Sequence, residues 1–352
     1  MSVENSVFGN YYELSQFVHA NYGFYPTRII RSPIGSANCY QIICENKKYF
    51  MKEFQKKFNY RDLEIEVSVC DILNKKGIPT SKFIKNINNT YIIVHNDRCF
   101  HMQEYIEGYV FSQNTFEDSF LFESSKILGK INRSLANINF LPEGFTDSWF
   151  LDWDVNESIN KHKLIRSQIK QSNLDNEKKD LLLSACNKKI NMLQAYSCNY
   201  SKYCKLTRMN SHGDYNNLQL ICDKSGIKSV IDFSSAASVP IVWEIIRSYT
   251  YCAKECINGN NINLNNLKKY ITNYLSVNHL SLFDISNMCG FYYFNLLRSA
   301  YGLNSTDENI IRFAVWRTNM CEYLGETYRE LDQYLRNEFK FLSHPKEVNY
   351  EI

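Results

Sequence analysis

Hydrophobic spacing changes character once along this chain, and the change divides it. Up to about residue 103, apolar residues alternate in short runs of period two; beyond residue 108 they recur mainly at intervals of three and four. Strands gathered in one stretch and helices in the next give an α+β chain with two lobes. The expected division is an N-terminal lobe over residues 1–104, an antiparallel sheet with one key helix, and a mostly helical C-terminal lobe over 105–352. A hinge at about 103–108 joins them. At 352 residues the chain is long enough to bury a core in each lobe.

In the first lobe the strand pattern covers 28–32, 38–44, 48–54, 91–94 and 99–103, and a helical pattern covers 61–75. That helix stops at Gly77-Ile78-Pro79, a terminal glycine followed by proline. Two charges in this lobe sit in apolar company. Alternation puts Lys52 on the face of Phe50 and Phe54, while Glu66 shares a helical stripe with Leu63, Cys70 and Leu73. Each alone reads as a snorkelling or edge residue. In neighbouring elements they make an ion pair the better expectation, because a buried charge is costly without a partner.

The second lobe shows helical spacing over 121–138, 156–170, 176–196, 243–256, 264–276, 285–299, 307–325 and 327–341. One hairpin interrupts it. Leu218 to Cys222 reads as a strand, Asp223-Lys224-Ser225-Gly226 as a tight turn, and Ile227 to Phe233 as the returning strand. Simple pairing about that turn sets Gln219 opposite Val230 and holds Asp214, Gln219 and Asp232 at the open end. One acid is then placed to orient a hydroxyl, and an amide oxygen and a second acid are placed to face a hard metal. Phosphoryl transfer draws its catalysis from such positioning and charge neutralisation.

Composition limits the alternatives. The net charge is +3 with acids and bases interleaved, so there is no basic patch of the kind that binds nucleic acid. No apolar run approaches a bilayer span, and the polar start at Met1–Asn5 lacks a signal peptide's features, so a cytoplasmic protein without membrane attachment is expected. The 12 cysteines include no C-x-x-C pair, and reduced, buried thiols are expected rather than disulfides or zinc.

Taken in order, these pieces resemble the aminoglycoside phosphotransferase and choline kinase superfamily, small-molecule relatives of the protein kinases. His212-Gly213-Asp214 and Val230-Ile231-Asp232-Phe233 are similar to its catalytic loop and metal-binding strand. Gly35 and Ser36 are similar to its nucleotide loop, Lys52 to its phosphate-binding lysine, Glu66 to that lysine's helix partner, and Glu244 to the acid opening the next helix. Within the superfamily the chain most resembles the bacterial group with the CotS-like spore-coat kinases.

The resemblance implies a two-lobed, protein-kinase-like fold and an ATP- and Mg²⁺-dependent kinase of a small hydroxylated molecule. Asp214 would serve as base and His212 as brace of the loop. Asp232 and Gln219 would be metal ligands, and Glu104 and Ile106 would offer backbone groups to the nucleobase. Gln219 departs from the family's asparagine, which leaves a pseudokinase with a binding role as the alternative reading. From Trp243 to Ile352 the acids and bases balance at −1, which argues mildly against a polycationic acceptor. The aromatic run Phe291–Phe294 reads as core before it reads as a ligand box.

Overall fold

The computed structural model describes residues 4–32, 37–112, 115–197 and 200–343. The chain divides into two compact units, of which the first holds Met1–Val110, Asn137–Leu141 and Leu218–Ala236. It opens with a helix absent from the sequence reading, α1 (Tyr11–Tyr22). Only Leu14, Phe17 and Val18 of that helix are buried, too few for a clear apolar stripe. Its ends are nonetheless well formed: the Asn10 side chain caps the Glu13 N–H, and Gly23, at φ 78°, closes onto the His19 carbonyl.

Then come β1 (Arg28–Ser32), β2 (Asn38–Cys44), β3 (Lys47–Glu53), α2 (Tyr60–Lys75), β4 (Phe83–Ile84), β5 (Ile92–His95) and β6 (Arg98–Glu104). They form one antiparallel sheet in the order β1-β2-β3-β6-β4, with β5 also on β6. Asn96 and Asp97 both have positive φ, the two-residue hairpin geometry that suits these short polar side chains.

Strand alternation gives this sheet two different faces. Tyr40, Ile42, Met51, Phe100 and Met102 pack with Leu14, Phe17 and Val18 of α1. Phe54, Ile92 and Cys99 pack with Leu63 of α2 on the other. On the α1 face, buried Glu53 accepts from the Ser6 hydroxyl at 2.7 Å and the Val7 N–H at 2.9 Å, which fastens the leading segment to the sheet.

Beyond Glu104 the chain is helical through α3 (Asp118–Leu135), α4 (Asp147–Leu151), α5 (Val155–Gln171) and α6 (Asn176–Ala195). Four short strands follow: β7 (Arg208–Ser211), β8 (Leu220–Asp223), β9 (Gly226–Val230) and β10 (Ala237–Pro240). Helices α7 (Ile241–Cys252), α8 (Lys254–Gly259), α9 (Leu264–Leu275), α10 (Leu282–Ile285), α11 (Met288–Arg298) and α12 (Glu308–Glu338) complete the fold. Among the described residues no helix is long and apolar enough to cross a membrane.

Strands β4, β7 and β10 were not anticipated, and three of the anticipated elements differ in detail. The stretch 243–256 is two helices, parted at Ala253, whose backbone is extended. The stretches 307–325 and 327–341 are instead one 31-residue helix, because Gly325 does not end α12. It lets α11 cross closely: a Cβ there would stand 3.1 Å from the Tyr293 ring. The Phe291–Phe294 run is buried as expected.

The third difference is the hairpin register. Leu220, rather than Gln219, lies opposite Val230, because a bulge between Ile221 and Cys222 shifts the pairing by one residue. Gln219 ends a 3-10 turn instead of starting the strand. The hairpin belongs to the first unit, where Tyr109 and Cys222 exchange backbone hydrogen bonds of 2.9 and 2.8 Å, and Val230 donates to the Pro79 carbonyl at 3.0 Å.

Gly108 permits that attachment. Its φ is 157°, and a Cβ would fall 2.5 Å from Ile221 Cγ2 and 2.7 Å from the Cys222 carbonyl oxygen. Gly108→Ala is expected to cost about 2 kcal/mol or more, from strain plus a displaced hairpin. Urea denaturation followed by far-UV circular dichroism measures it, and a loss under about 0.5 kcal/mol would contradict this role for Gly108.

Candidate active site

In the first unit the site grows from one row of paired residues. Register places Cys39, Lys52 and His101 side by side across β2, β3 and β6, so all three point to the α2 face. Glu66, on the stripe that α2 turns toward the sheet, meets them. Its Oε1 is 3.7 Å from Lys52 Nζ and its Oε2 is 3.3 Å from His101 Nε2. Lys52 also donates to Asp232 Oδ1 at 2.9 Å, and Ser234 donates to the same oxygen at 2.9 Å. Lys52, Glu66 and Asp232 thus come together, as the sequence pairing of Lys52 with Glu66 anticipated.

Lys52 is 7% exposed and Glu66 fully buried. Burial works against the ammonium, yet Asp232 and then Glu66 outweigh it and hold the Lys52 pKa above that of an ordinary lysine. For Glu66, burial favours the neutral acid, but Lys52 and then His101 keep its carboxyl below the usual range. Asp232 has φ 65° and ψ 58°, a left-handed conformation uncommon outside glycine that aspartate tolerates. Phe233, fully buried, follows it in a short 3-10 turn, and Ile231 N–H donates to the Gln219 carbonyl at 2.9 Å. This bend keeps the Asp232 carboxylate at Lys52.

An Asp232 carboxylate and a Gln219 amide oxygen are hard donors of the kind magnesium accepts, with phosphate oxygens and water completing its shell. Among the described residues there is no group of three or more His, Cys, Asp or Glu that would hold a metal by itself. The fit is therefore to a metal shared with a phosphate ligand. Glu104 ends β6 with its N–H donated to the Lys82 carbonyl at 2.8 Å, so its carbonyl is what it can offer a base. Ile106 is half-buried in the segment that follows. Gly35 and Ser36 lie outside the described residues.

The second unit, Phe111–Ala136, Pro142–Asn217 and Ala237–Ile352, carries the loop with His212 and Asp214. Its loop 211–217 leaves β7, which pairs with β10, and is fastened at both ends. Buried Glu244, on α7, accepts from the Ser211 hydroxyl and, at 2.9 Å, from the Tyr215 N–H. Asn132 of α3 donates to Ser211 Oγ at 2.7 Å. Gly213 turns the chain at φ 80°, and Asp214 N–H donates to His212 Nδ1 at 3.2 Å. That nitrogen is an acceptor, and the ring is buried, so His212 braces the loop.

Asp214 has a side chain 40% exposed, and its Oδ1 accepts from Arg247 Nη2. The sequence reading missed Arg247. It lies three residues after Glu244 on α7, its guanidinium 4.4 Å from the Tyr251 ring and 5.4 Å from the Trp243 ring. The spacing Trp243, Arg247, Tyr251, one helical turn apart each time, is the signal that could have found it. Asn217 donates to the Phe111 carbonyl at 2.8 Å and is committed to the loop.

Comparison with known proteins gives a consistent family. A family model described as "Phosphotransferase enzyme family" matches residues 30–262. No curated protein matches the sequence. Among solved structures, an amicoumacin kinase in complex with AMP-PNP and Ca²⁺ is 9% identical with a TM-score of 0.58, covering 94% of both chains. A microcompartment-associated aminopropanol kinase is 14% identical with a TM-score of 0.58, over 91% of this chain and 98% of its own. A choline kinase from Cryptosporidium parvum is 14% identical with a TM-score of 0.51, over 95% and 98%. At these identities the likeness is one of fold.

Lys52→Met would leave Glu66 buried without its main counter-charge and is expected to cost about 3 kcal/mol, most of it regained in Lys52→Met/Glu66→Gln. Because the native Glu66 carboxyl is held low, its contribution is full above the ordinary carboxylate range and is lost as pH falls. In Lys52→Met, protonating Glu66 removes the uncompensated charge, so the deficit against wild type narrows toward about pH 4. Chemical denaturation from neutral pH downward measures this, and a deficit that widens on acidification would contradict the pairing.

Proposed function

The chain belongs to the phosphotransferase enzyme family, an ATP-dependent enzyme class acting on hydroxyl groups, and from that premise we infer that it moves the γ-phosphoryl group of ATP, with Mg²⁺, to a hydroxyl of a small molecule. The observation that carries the site assignment is the lysine on β3 held between a helix carboxylate and the carboxylate of Asp232. A buried ammonium set between two acids, one of them part exposed, is arranged to receive nucleotide phosphates and not merely to close a core.

In this reading Lys52 pairs with the α- and β-phosphate oxygens while Glu66 keeps it in place. Asp232 and Gln219 would hold the divalent metal, which when bound neutralises charge on the phosphate oxygens. Glutamine reaches one methylene further than the family's asparagine. Gln219 closes a turn ahead of the shifted register, and its backbone stays tied to Ile231. The Asp214 carboxylate orients the acceptor hydroxyl and takes its proton as that oxygen bonds to the γ-phosphorus and the bond from phosphorus to the β–γ bridging oxygen breaks, releasing ADP. His212, Asn132 and Glu244 keep the loop's shape, and Arg247 fixes which way the carboxylate points.

Two variants separate nucleotide binding from chemistry. Asp232→Ala should abolish the rise in melting temperature on adding Mg·ATP, with little change when ATP is added with EDTA. Asp214→Ala should keep the Mg·ATP shift and lose about 100-fold or more in acceptor-dependent ADP release. Turnover surviving in Asp214→Ala would refute the base assignment, and absence of any metal-dependent shift in the wild type would refute the nucleotide site.

A further inference from the structure

Arg247 begins a run of guanidinium groups within the second unit that loop bracing does not explain. Its Nη2 serves Asp214, while Nη1 is buried and has no hydrogen-bond partner. Tyr251, under Arg247, accepts through its hydroxyl from Arg317 Nη1, and Arg317 Nη2 donates to Ser299 Oγ at 3.1 Å. Next to Ser299, Arg298 donates to the Trp149 carbonyl with its guanidinium 3.9 Å from the Trp149 ring. Buried Lys189 donates to the Leu296 carbonyl at the same end of α11. Among the described residues neither Arg298 nor Arg317 has a carboxylate partner.

Of these four cations, Arg247 alone has a carboxylate partner among the described residues, Asp214. Glu244 is already occupied by Ser211 and Tyr215. The helix C-terminus accounts for Lys189, whose ammonium meets a terminal carbonyl. It does not account for Arg317, which ends on two neutral hydroxyls, or for Arg247 Nη1, which ends on nothing. Ammonium or polyamine acceptors would be repelled here. An anionic group would meet planar donors in the fork geometry that suits a carboxylate. Tyr301, 57% exposed, and half-buried Phe313 border Arg317, so this wall reaches solvent.

We propose that the acceptor is a hydroxy acid, a small hydroxylated molecule carrying a carboxylate, whose carboxylate binds Arg317 and Arg247 while its hydroxyl meets Asp214. This rests on the phosphotransferase reading and narrows it, away from the amino-alcohol and aminoglycoside acceptors of the structural neighbours.

The test uses one sugar skeleton in three charge states, glucuronate, glucose and glucosamine, titrated against tryptophan fluorescence in the presence of Mg·AMP-PNP. Glucuronate should bind about tenfold tighter than glucose or better, weaken as salt is added, and glucosamine should bind weakest. Arg317→Gln should bring the three within about threefold while leaving the Mg·ATP thermal shift intact. Arg317→Lys, which keeps the charge but loses the planar fork, gives a second reading of the same contact if Arg317→Gln folds poorly, with the preference for glucuronate reduced. Equal binding of the three in the wild type, tightest binding of glucosamine, or a preference for glucuronate that survives both variants would overturn the proposal. Loss of the wild-type Mg·ATP shift, read in the same samples, is the separate failure of the phosphotransferase reading.

Discussion

A lysine ammonium with 7% exposure organises the first unit, because burying it costs several kcal/mol unless anions meet it, and each anion comes from a different element. Glu66 arrives from α2, across the sheet face, and Asp232 from the far end of the hairpin that Pro79 and Tyr109 hold. Satisfying Lys52 therefore fixes the helix on its sheet and the hairpin on its edge together. The left-handed backbone at Asp232 is part of the same constraint, since without that bend the carboxylate would not turn to the lysine. Strain in one residue is tolerated where a buried charge pair over-determines it.

The second unit solves a related problem with a different tool. The loop around Asp214 is mostly buried, with Ser211, His212, Tyr215, Asn216 and Asn217 inside, and hydrogen bonds along it add to that packing to hold one part-exposed carboxylate in place. Ser211 and Tyr215 go to Glu244, Asp214 to His212, and Asn216 donates to the Asp214 carbonyl at 2.7 Å. Glu244, with no exposed surface, acts here as a clamp on backbone and hydroxyl donors. Arg247 then extends from the same helix face to the Asp214 carboxylate itself. One turn of α7 thus positions both the loop and the acid on it.

Much of this was legible beforehand. The switch from period-two to helical spacing separated sheet from helices, and two misplaced charges, Lys52 among phenylalanines and Glu66 on an apolar stripe, announced their pairing. What escaped had identifiable causes. Helix α1 buries three residues and shows more tyrosine to solvent than to core, so its periodicity is faint. Gly325 looked like a stop but serves a helix crossing. The hairpin turn was recognised, yet a bulge inside the strand moved the register by one, and nothing in Ile221-Cys222 advertises a bulge.

By itself the sequence determined the division into a strand-rich and a helical stretch, the family motifs and the inventory of charged groups that could do chemistry. Those follow from local spacing and from the cost of placing a charge beside apolar neighbours, both of which are written along the chain. Tertiary structure alone decided which charges find each other over long separations: Lys52 with Asp232, 180 residues away, and Asp214 with Arg247, 33 residues on. It also decided that Arg298 and Arg317 find no acid among the described residues. Electrostatic pairing depends on distance and burial in three dimensions, and a sequence lists charges without saying which of them the fold leaves unmatched.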